Sequence, residues 1–284
     1  PGTGWLGEKL AGFHRERSLP RWAGNPFRPI EAGTHPLGAD GKDVVLFADT
    51  FNSAFEPAIP RAALKVLQAA GYRVHAVEAQ GRPLCCGRTY LSVGMVDQAR
   101  AEAKRTVEAL KPYAAAGVPV VGLEPACLLT LRDEFHAVLP GADTQALSGN
   151  AFLLEEFLAR EHKAGRLKLG LKPLPQSKAL LHGHCHQKSF GVIGDVQQIL
   201  GLIPDLQTSV IDSSCCGMAG SFGYDASHWD VSQAMAEAAL LPAVREAGAD
   251  TLIVADGTSC RHQIKDGAHR KALHVAEVLA AALA

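Results

Sequence analysis

The sequence predicts an α/β protein made of two pseudo-twofold-related lobes, each a small parallel sheet flanked by helices. Three observations carry that prediction. Short apolar runs alternate with segments of helical spacing from residue 43 to the end of the chain. The order of these segments starts again after residue 177. The rare triplet Cys-Cys-Gly occurs twice, at 85–87 and 215–217, at matching places in the two series.

Residues 1–42 are rich in Gly, Pro and Arg and show no sustained period, so they are expected to form an arm or linker with one short helix near Leu6–Arg17. Ala23-Gly24-Asn25-Pro26 and Gly38-Ala39-Asp40-Gly41 are turn signals within it. The first lobe is assigned to residues 43–145. Its strands are expected at Asp43–Ala48, Tyr72–Val77 and Val118–Leu123, its helices at Pro57–Ala70, Val96–Ala116 and Pro125–Phe135. A helix at Ala151–His162 and a Lys/Gly/Pro-rich connector fill residues 146–177. The second lobe, residues 178–284, repeats the order with strands at Lys178–His182, Ser209–Asp212 and Thr251–Ala255. Helices are expected there at Gly194–Leu200, Ser227–Ala247, Thr258–Lys265 and Leu273–Leu283.

The repeat is visible in the residues themselves. Val44–Asn52 aligns with Ala179–Gln187, and Glu124-Pro125-Ala126-Cys127 with Gly257-Thr258-Ser259-Cys260. Thr50 to Cys85 spans 35 residues and Cys185 to Cys215 spans 30. These correspondences point to a duplicated lobe.

Composition narrows the function classes. The 284 residues are 47% hydrophobic and 20% charged, with a net charge of −1. That balance gives no general attraction to nucleic acid or anionic lipid. Apolar runs such as Ala238–Val244 are too short to span a bilayer, which leaves only peripheral membrane association of a larger assembly. The Pro-Gly-Thr-Gly-Trp start lacks a signal pattern and reads as the cut edge of a larger chain. Seven cysteines, four of them in adjacent pairs, fit a reducing, cytoplasmic compartment in which thiols serve metal or redox chemistry.

Each lobe places its cysteines just past strand ends, where open α/β sheets hold ligands. The second lobe offers four thiols from three loops: Cys185, Cys215, Cys216 and Cys260. Four thiolates suit an iron–sulfur cluster and also structural zinc. Adjacent cysteines aim their sulfurs apart and reach different irons of a polynuclear cluster more easily than one tetrahedral ion. Gly217 permits a tight backbone turn, and Ser221 lies in a small-residue loop able to offer N–H groups to sulfides. Cys260 falls near a helix N-terminus that favours thiolate. His184 and His186 flank Cys185 and are expected as hydrogen-bonding neighbours of the centre, whereas His182 is read as solvated or backbone-bonded. The bland alternative is a set of inert buried thiols.

The first lobe has Cys85, Cys86 and Cys127, but Thr50 stands where the second lobe has Cys185. Three thiols admit a cluster with an open iron, an accessible metal, or a relic packed as core; a relic or weak site is the expectation. Asp49 and Asp256 read as loop caps, and Trp229 and Tyr224 as core or interface residues.

At these residues the chain resembles the CCG domain found in heterodisulfide reductase and in the iron–sulfur protein of glycolate oxidase. It is also similar to the C-terminal part of FAD-linked D-2-hydroxy-acid dehydrogenases of the D-lactate and D-2-hydroxyglutarate type. The stretches FADTFNSAFEP (47–57), GRPLCCG (81–87), VPVVGLEPACLLTLRDE (118–134), LHGHCHQKS (181–189), SSCCGMAGSFGYD (213–225) and ADGTSCRHQI (255–264) carry the likeness. The resemblance implies a [4Fe–4S]-type centre passing electrons from an FAD-containing domain or subunit to an acceptor. That flavin would lie on a missing region or a partner, leaving this chain inactive alone. Thr50, and single cysteines where heterodisulfide reductase carries C-x-x-C, depart from that enzyme's two-cluster pattern. A zinc-stabilised docking domain and a heterodisulfide-reductase-like thiol–disulfide domain are the alternatives.

Overall fold

A computed structural model describes residues 3–33, 35–38 and 42–284 of the chain. The turn expected at 38–41 lies outside these from residue 39 onward. The chain divides into two compact units. One comprises Trp22–Lys172 and Ala276–Ala284, the other the chain up to Arg21 together with Pro173–Val275. The N-terminal segment thus belongs partly with the second lobe's residues, and the last helix largely with the first lobe's.

The first unit is built on four parallel strands: β1 (Asp43–Phe47), β2 (Arg73–Ala76), β3 (Val120–Gly122) and β4 (Ala151–Leu153). They are ordered β2-β1-β3-β4. Every residue of the central β1 is buried, the apolar run 44–47 as a strand covered on both faces requires, and Asp43 with Arg73 and His75 as partners. The helices Ala58–Ala69 and Val96–Ala115 carry the chain back between strands, because parallel pairing needs a crossover.

The second unit repeats the plan with β5 (Lys178–Leu181), β6 (Gln207–Val210), β7 (Thr251–Val254) and β8 (Ala272–Leu273). Their order is β8-β7-β5-β6, all parallel. Read from the opposite edge this is the same sequence of second, first, third and fourth strand found in the first unit. Two identical strand orders from one chain are what duplication produces.

The structure corrects four element expectations. The segments Ala151–His162 and Leu273–Leu283 are not helical throughout: each opens on an edge strand, β4 or β8, before the helices Leu154–Lys163 and Val275–Ala282. Strands of two or three residues are too short to display a period of two. The helix expected over Ser227–Ala247 is broken into Trp229–Glu237 and Leu240–Glu246. Pro242 has no N–H, and in a continuous helix its ring would collide with the carbonyl of Ala238, which lies at the break. The N-terminal helix is Thr3–Ala11, ending before Gly12 at φ 72°.

The two lobes hold their Cys-Cys-Gly turns against their long helices in the same way. Gly87 and Gly217 both have positive φ, 74° and 85°. A Cβ on Gly87 would lie 2.9 Å from the Ala99 carbonyl oxygen, and one on Gly217 would lie 2.2 Å from that of Ser232. Both positions therefore need glycine for conformation and for close approach.

Candidate metal centre

In the second unit the loops after β5, β6 and β7 carry the four expected thiols, and ties between those loops bring them together. Cys185 opens the helix Cys185–Ser189, capped by the His184 side chain, which accepts from the His186 N–H at 3.1 Å. Lys188 on that helix donates to the Ser213 and Ser214 carbonyls, the latter at 2.8 Å, drawing the loop of Cys215 toward Cys185. Gln187 donates at 2.8 Å to Asp256, a fully buried carboxylate beyond β7 that also accepts from the Val275 N–H at 2.8 Å. The first and third loops are thereby fixed to each other. Cys260 follows in the first turn of the helix Thr258–Ala268.

The four sulfurs form a set connected by hydrogen bonds, from Cys185 to Cys215, between Cys215 and Cys216, and between Cys216 and Cys260. Hydrogen bonds from Cys185 and Cys216 hold the Cys215 thiol well below its ordinary pKa. Cys260 is likewise lowered, by its bond with Cys216 and, despite burial, by His182 beside it. Cys185 and Cys216 are pushed up, chiefly because they give those hydrogen bonds. Hydrogen bonding within the set and His182 thus favour the thiolate form at Cys215 and Cys260, the form that binds metal.

Among the described residues His182, Cys216 and Cys260 have ligand atoms within 4.8 Å of one another, all buried. His182 is fully buried at the end of β5; its Nδ1 bonds Ser213 Oγ at 2.9 Å, and its Nε2 has no conventional partner. A solvated or backbone-bonded role for His182 is therefore not what the structure shows. A buried imidazole set against the Cys260 sulfur, with Cys216 beside it, fits a site made for a metal or an iron–sulfur group. His184 is buried, stacks on His186 with ring centroids 5.2 Å apart, and packs on Gly257, where a Cβ would lie 2.3 Å from its ring. Gly217 donates its N–H to Cys215 Sγ at 3.3 Å. Ser221 is exposed at the start of a 3₁₀ turn and makes no side-chain cap bond.

The first lobe keeps the turn but not the electrostatics. Gly87 N–H donates to Cys85 Sγ at 3.4 Å, the counterpart of the Gly217 bond. Cys86 and Cys127 are buried, and Cys85 bonds Cys86 and Thr50. Here every thiol is pushed up. A hydrogen bond with Cys86 lowers Cys127, yet burial and the acidic Asp49 and Glu124 raise it to about 12. Asp49 aligns with His184, and Phe47 with His182. Where the second lobe offers imidazoles, the first offers a buried acid and a phenyl ring. Asp49 itself caps the helix Thr50–Ala54, accepting from the Asn52 N–H at 3.0 Å.

All seven cysteines are free thiols. No helix among the described residues is long and apolar enough to cross a membrane.

Comparison with known proteins agrees with this duplicated geometry. The Cysteine-rich domain (CCG) profile matches twice, over residues 48–132 and 180–265. The chain belongs to this CCG family. Each match spans one lobe's Cys-Cys-Gly turn and third cysteine loop. The chain is 33% identical over 273 residues to a subunit of the anaerobic glycerol-3-phosphate dehydrogenase of Escherichia coli K12, covering 95% of the chain and 67% of that protein. It is 29% identical over 242 residues to D-2-hydroxyglutarate dehydrogenase of Pseudomonas putida, covering 84% of the chain and 22% of that protein. It is 26% identical over 251 residues to Lactate utilization protein A of Bacillus subtilis, covering 83% and 98%. Within the matched residues the second lobe has four cysteines and the first lobe three.

Proposed function

We propose that this CCG chain is the iron–sulfur electron-transfer domain of an FAD-linked 2-hydroxy-acid oxidoreductase, working beside a flavin-containing domain or subunit in the cytoplasm. Cys185, Cys215, Cys216 and Cys260 are its ligands for a [4Fe–4S]-type centre. The observation that carries this reading is the convergence of four sulfurs from three loops, Cys216 and Cys260 buried in the apolar core of the unit, Cys215 half-buried and Cys185 at the exposed side. The relatives' names add weight: a dehydrogenase subunit, a 2-hydroxy-acid dehydrogenase and a lactate utilization protein. When bound, such a group would supply one-electron transfer. The chain's own residues hold and insulate it. Lys188, Gln187 and Asp256 fix the three loops, and the apolar residues Ile211, Met218, Val244 and Ile264 exclude water around Cys216 and Cys260. The imidazole of His182 and the N–H groups of the Cys-Cys-Gly turn face the sulfurs and favour negative charge there.

A mononuclear zinc reading has one observation in its favour, the compactness of His182, Cys216 and Cys260. Anaerobic metal and sulfide analysis separates the two. Iron and sulfide with a visible charge-transfer band, both lost in Cys215→Ser, are expected; stoichiometric zinc without colour, or iron unchanged in the variant, overturns the assignment.

A further inference from the structure

Arg17 is buried in the second unit, far along the chain from the cysteines of that unit. Its side chain is fully enclosed. The guanidinium donates to the Gly223 carbonyl at 2.6 Å, to Gln263 Oε1 at 2.5 Å and to Ser232 Oγ at 2.8 Å, and lies 4.7 Å from the Trp229 ring centre. The Asp266 carboxylate stands 4.0 Å away. Beside this ion pair its three hydrogen-bond acceptors are neutral, and each belongs to the frame of the centre. Ser232 is the residue whose carbonyl Gly217 approaches, and Gly223 packs on Met218, directly after the Cys-Cys-Gly turn. Gln263 lies three residues beyond Cys260 on the same helix.

The first lobe makes the same junction with a different arginine. Arg88 directly follows Cys85-Cys86-Gly87, and its Nη1 reaches Thr130 Oγ1 at 3.4 Å and pairs with Glu134. Thr130 lies three residues beyond Cys127, as Gln263 does beyond Cys260. At the position of Arg88 the second lobe has Met218, which is fully buried and apolar. The turn thus lacks a cation of its own, and one arrives from the N-terminal segment. That segment is fastened on both sides of Arg17. His14 stacks on Trp229 at 3.9 Å and donates its backbone N–H to the Tyr224 carbonyl at 2.8 Å. Ser18 donates twice to Asp266, at 2.6 and 3.1 Å.

We propose that Arg17 is a positioning residue of the second-lobe centre, supplying the clamp between turn and third-cysteine helix that Arg88 supplies in the first lobe, together with a buried positive charge. The inference rests on the function proposed above. A guanidinium fork can serve three acceptors at once, so it locks the Cys-Cys-Gly loop to the helix of Cys260. Its charge is buried, with the Asp266 carboxylate 4.0 Å away offsetting part of it, and the remainder favours the more negative state of an anionic group bound to those cysteines.

The test uses the whole protein with Arg17→Met and Arg17→Lys, and has two arms. In metal-free protein, amide exchange over residues 217–224 should rise about tenfold in Arg17→Met and also rise in Arg17→Lys, which keeps charge but loses the fork. Exchange equal to wild type in both variants overturns the clamp. After anaerobic reconstitution with iron and sulfide, the midpoint potential of the centre should fall in Arg17→Met and stay near wild type in Arg17→Lys. An unchanged potential in Arg17→Met reduces Arg17 to a fold staple and overturns the charge role. Should Arg17→Met not fold, Arg17→Lys carries the exchange arm and Arg17→Gln the potential arm. Failure of wild type itself to take up iron would count against the proposed function alone, because the exchange arm needs no metal.

Discussion

At the scale of single residues, the difference between the lobes comes down to what surrounds similar sulfurs. His182 illustrates it. Its counterpart Phe47 is as well buried, so the fold accepts a phenyl ring there. His182→Phe should leave the fold intact yet weaken metal retention by about 10–100-fold, since an imidazole that favours the Cys260 thiolate is gone. A chelator-competition assay on reconstituted protein reads this directly; retention equal to wild type would remove His182 from the centre. Gly217 is the second case. With φ at 85° and the Ser232 carbonyl 2.2 Å from a new Cβ, Gly217→Ala should cost about 1–3 kcal/mol in urea denaturation. Gly87→Ala, with its nearest atom at 2.9 Å, should cost less. The glycine requirement was readable from the Cys-Cys-Gly triplet. The role of His182 was not, because a histidine at a strand end looks alike whether it faces backbone or sulfur.

At the scale of elements, the sheets are joined by polar ties as well as ladders. Asp43 at the start of β1 accepts from Arg73 at 3.0 Å and from His75 at 2.7 Å, both on β2. The Arg73 hydrogen bond, followed by that from His75, holds the Asp43 carboxyl well below the ordinary carboxylate value. A lowered carboxyl pKa means stability that is fully present above the unfolded value near 4 and is lost as pH falls toward the folded one. The urea midpoint of the first unit should therefore decline below about pH 4, and Asp43→Asn should flatten that decline. An identical acid slope in the variant would assign it to other carboxylates. The long elements, such as the helix Val96–Ala115, were legible from their period. The strands β4 and β8 were not, since a strand of two or three residues is defined by the neighbour it pairs with.

At the scale of the whole molecule, sequence order and unit membership part company at both ends. The last nine residues group with the first lobe, where Leu171 bridges Leu283 and Lys172 donates to the Ala282 carbonyl at 2.8 Å. Leu279 on the last helix is fully buried. Leu279→Ala should destabilise by about 2–5 kcal/mol. Exchange mapping should place the loss in the unit of Trp22–Lys172; a loss confined to the second unit would contradict this grouping.

The sequence by itself determined the α/β class, the duplication, the position of each cysteine after a strand and the asymmetry between four thiols and three. All of these follow from local period or from aligning the chain with itself. Tertiary structure decided the matched strand orders, the burial of His182 beside Cys216 and Cys260, the acid environment of Cys127 and the arrival of Arg17 from more than two hundred residues away. The reason is physical: donors and charges act through distance in space and through exclusion of water, and neither is encoded in the spacing of residues along the chain.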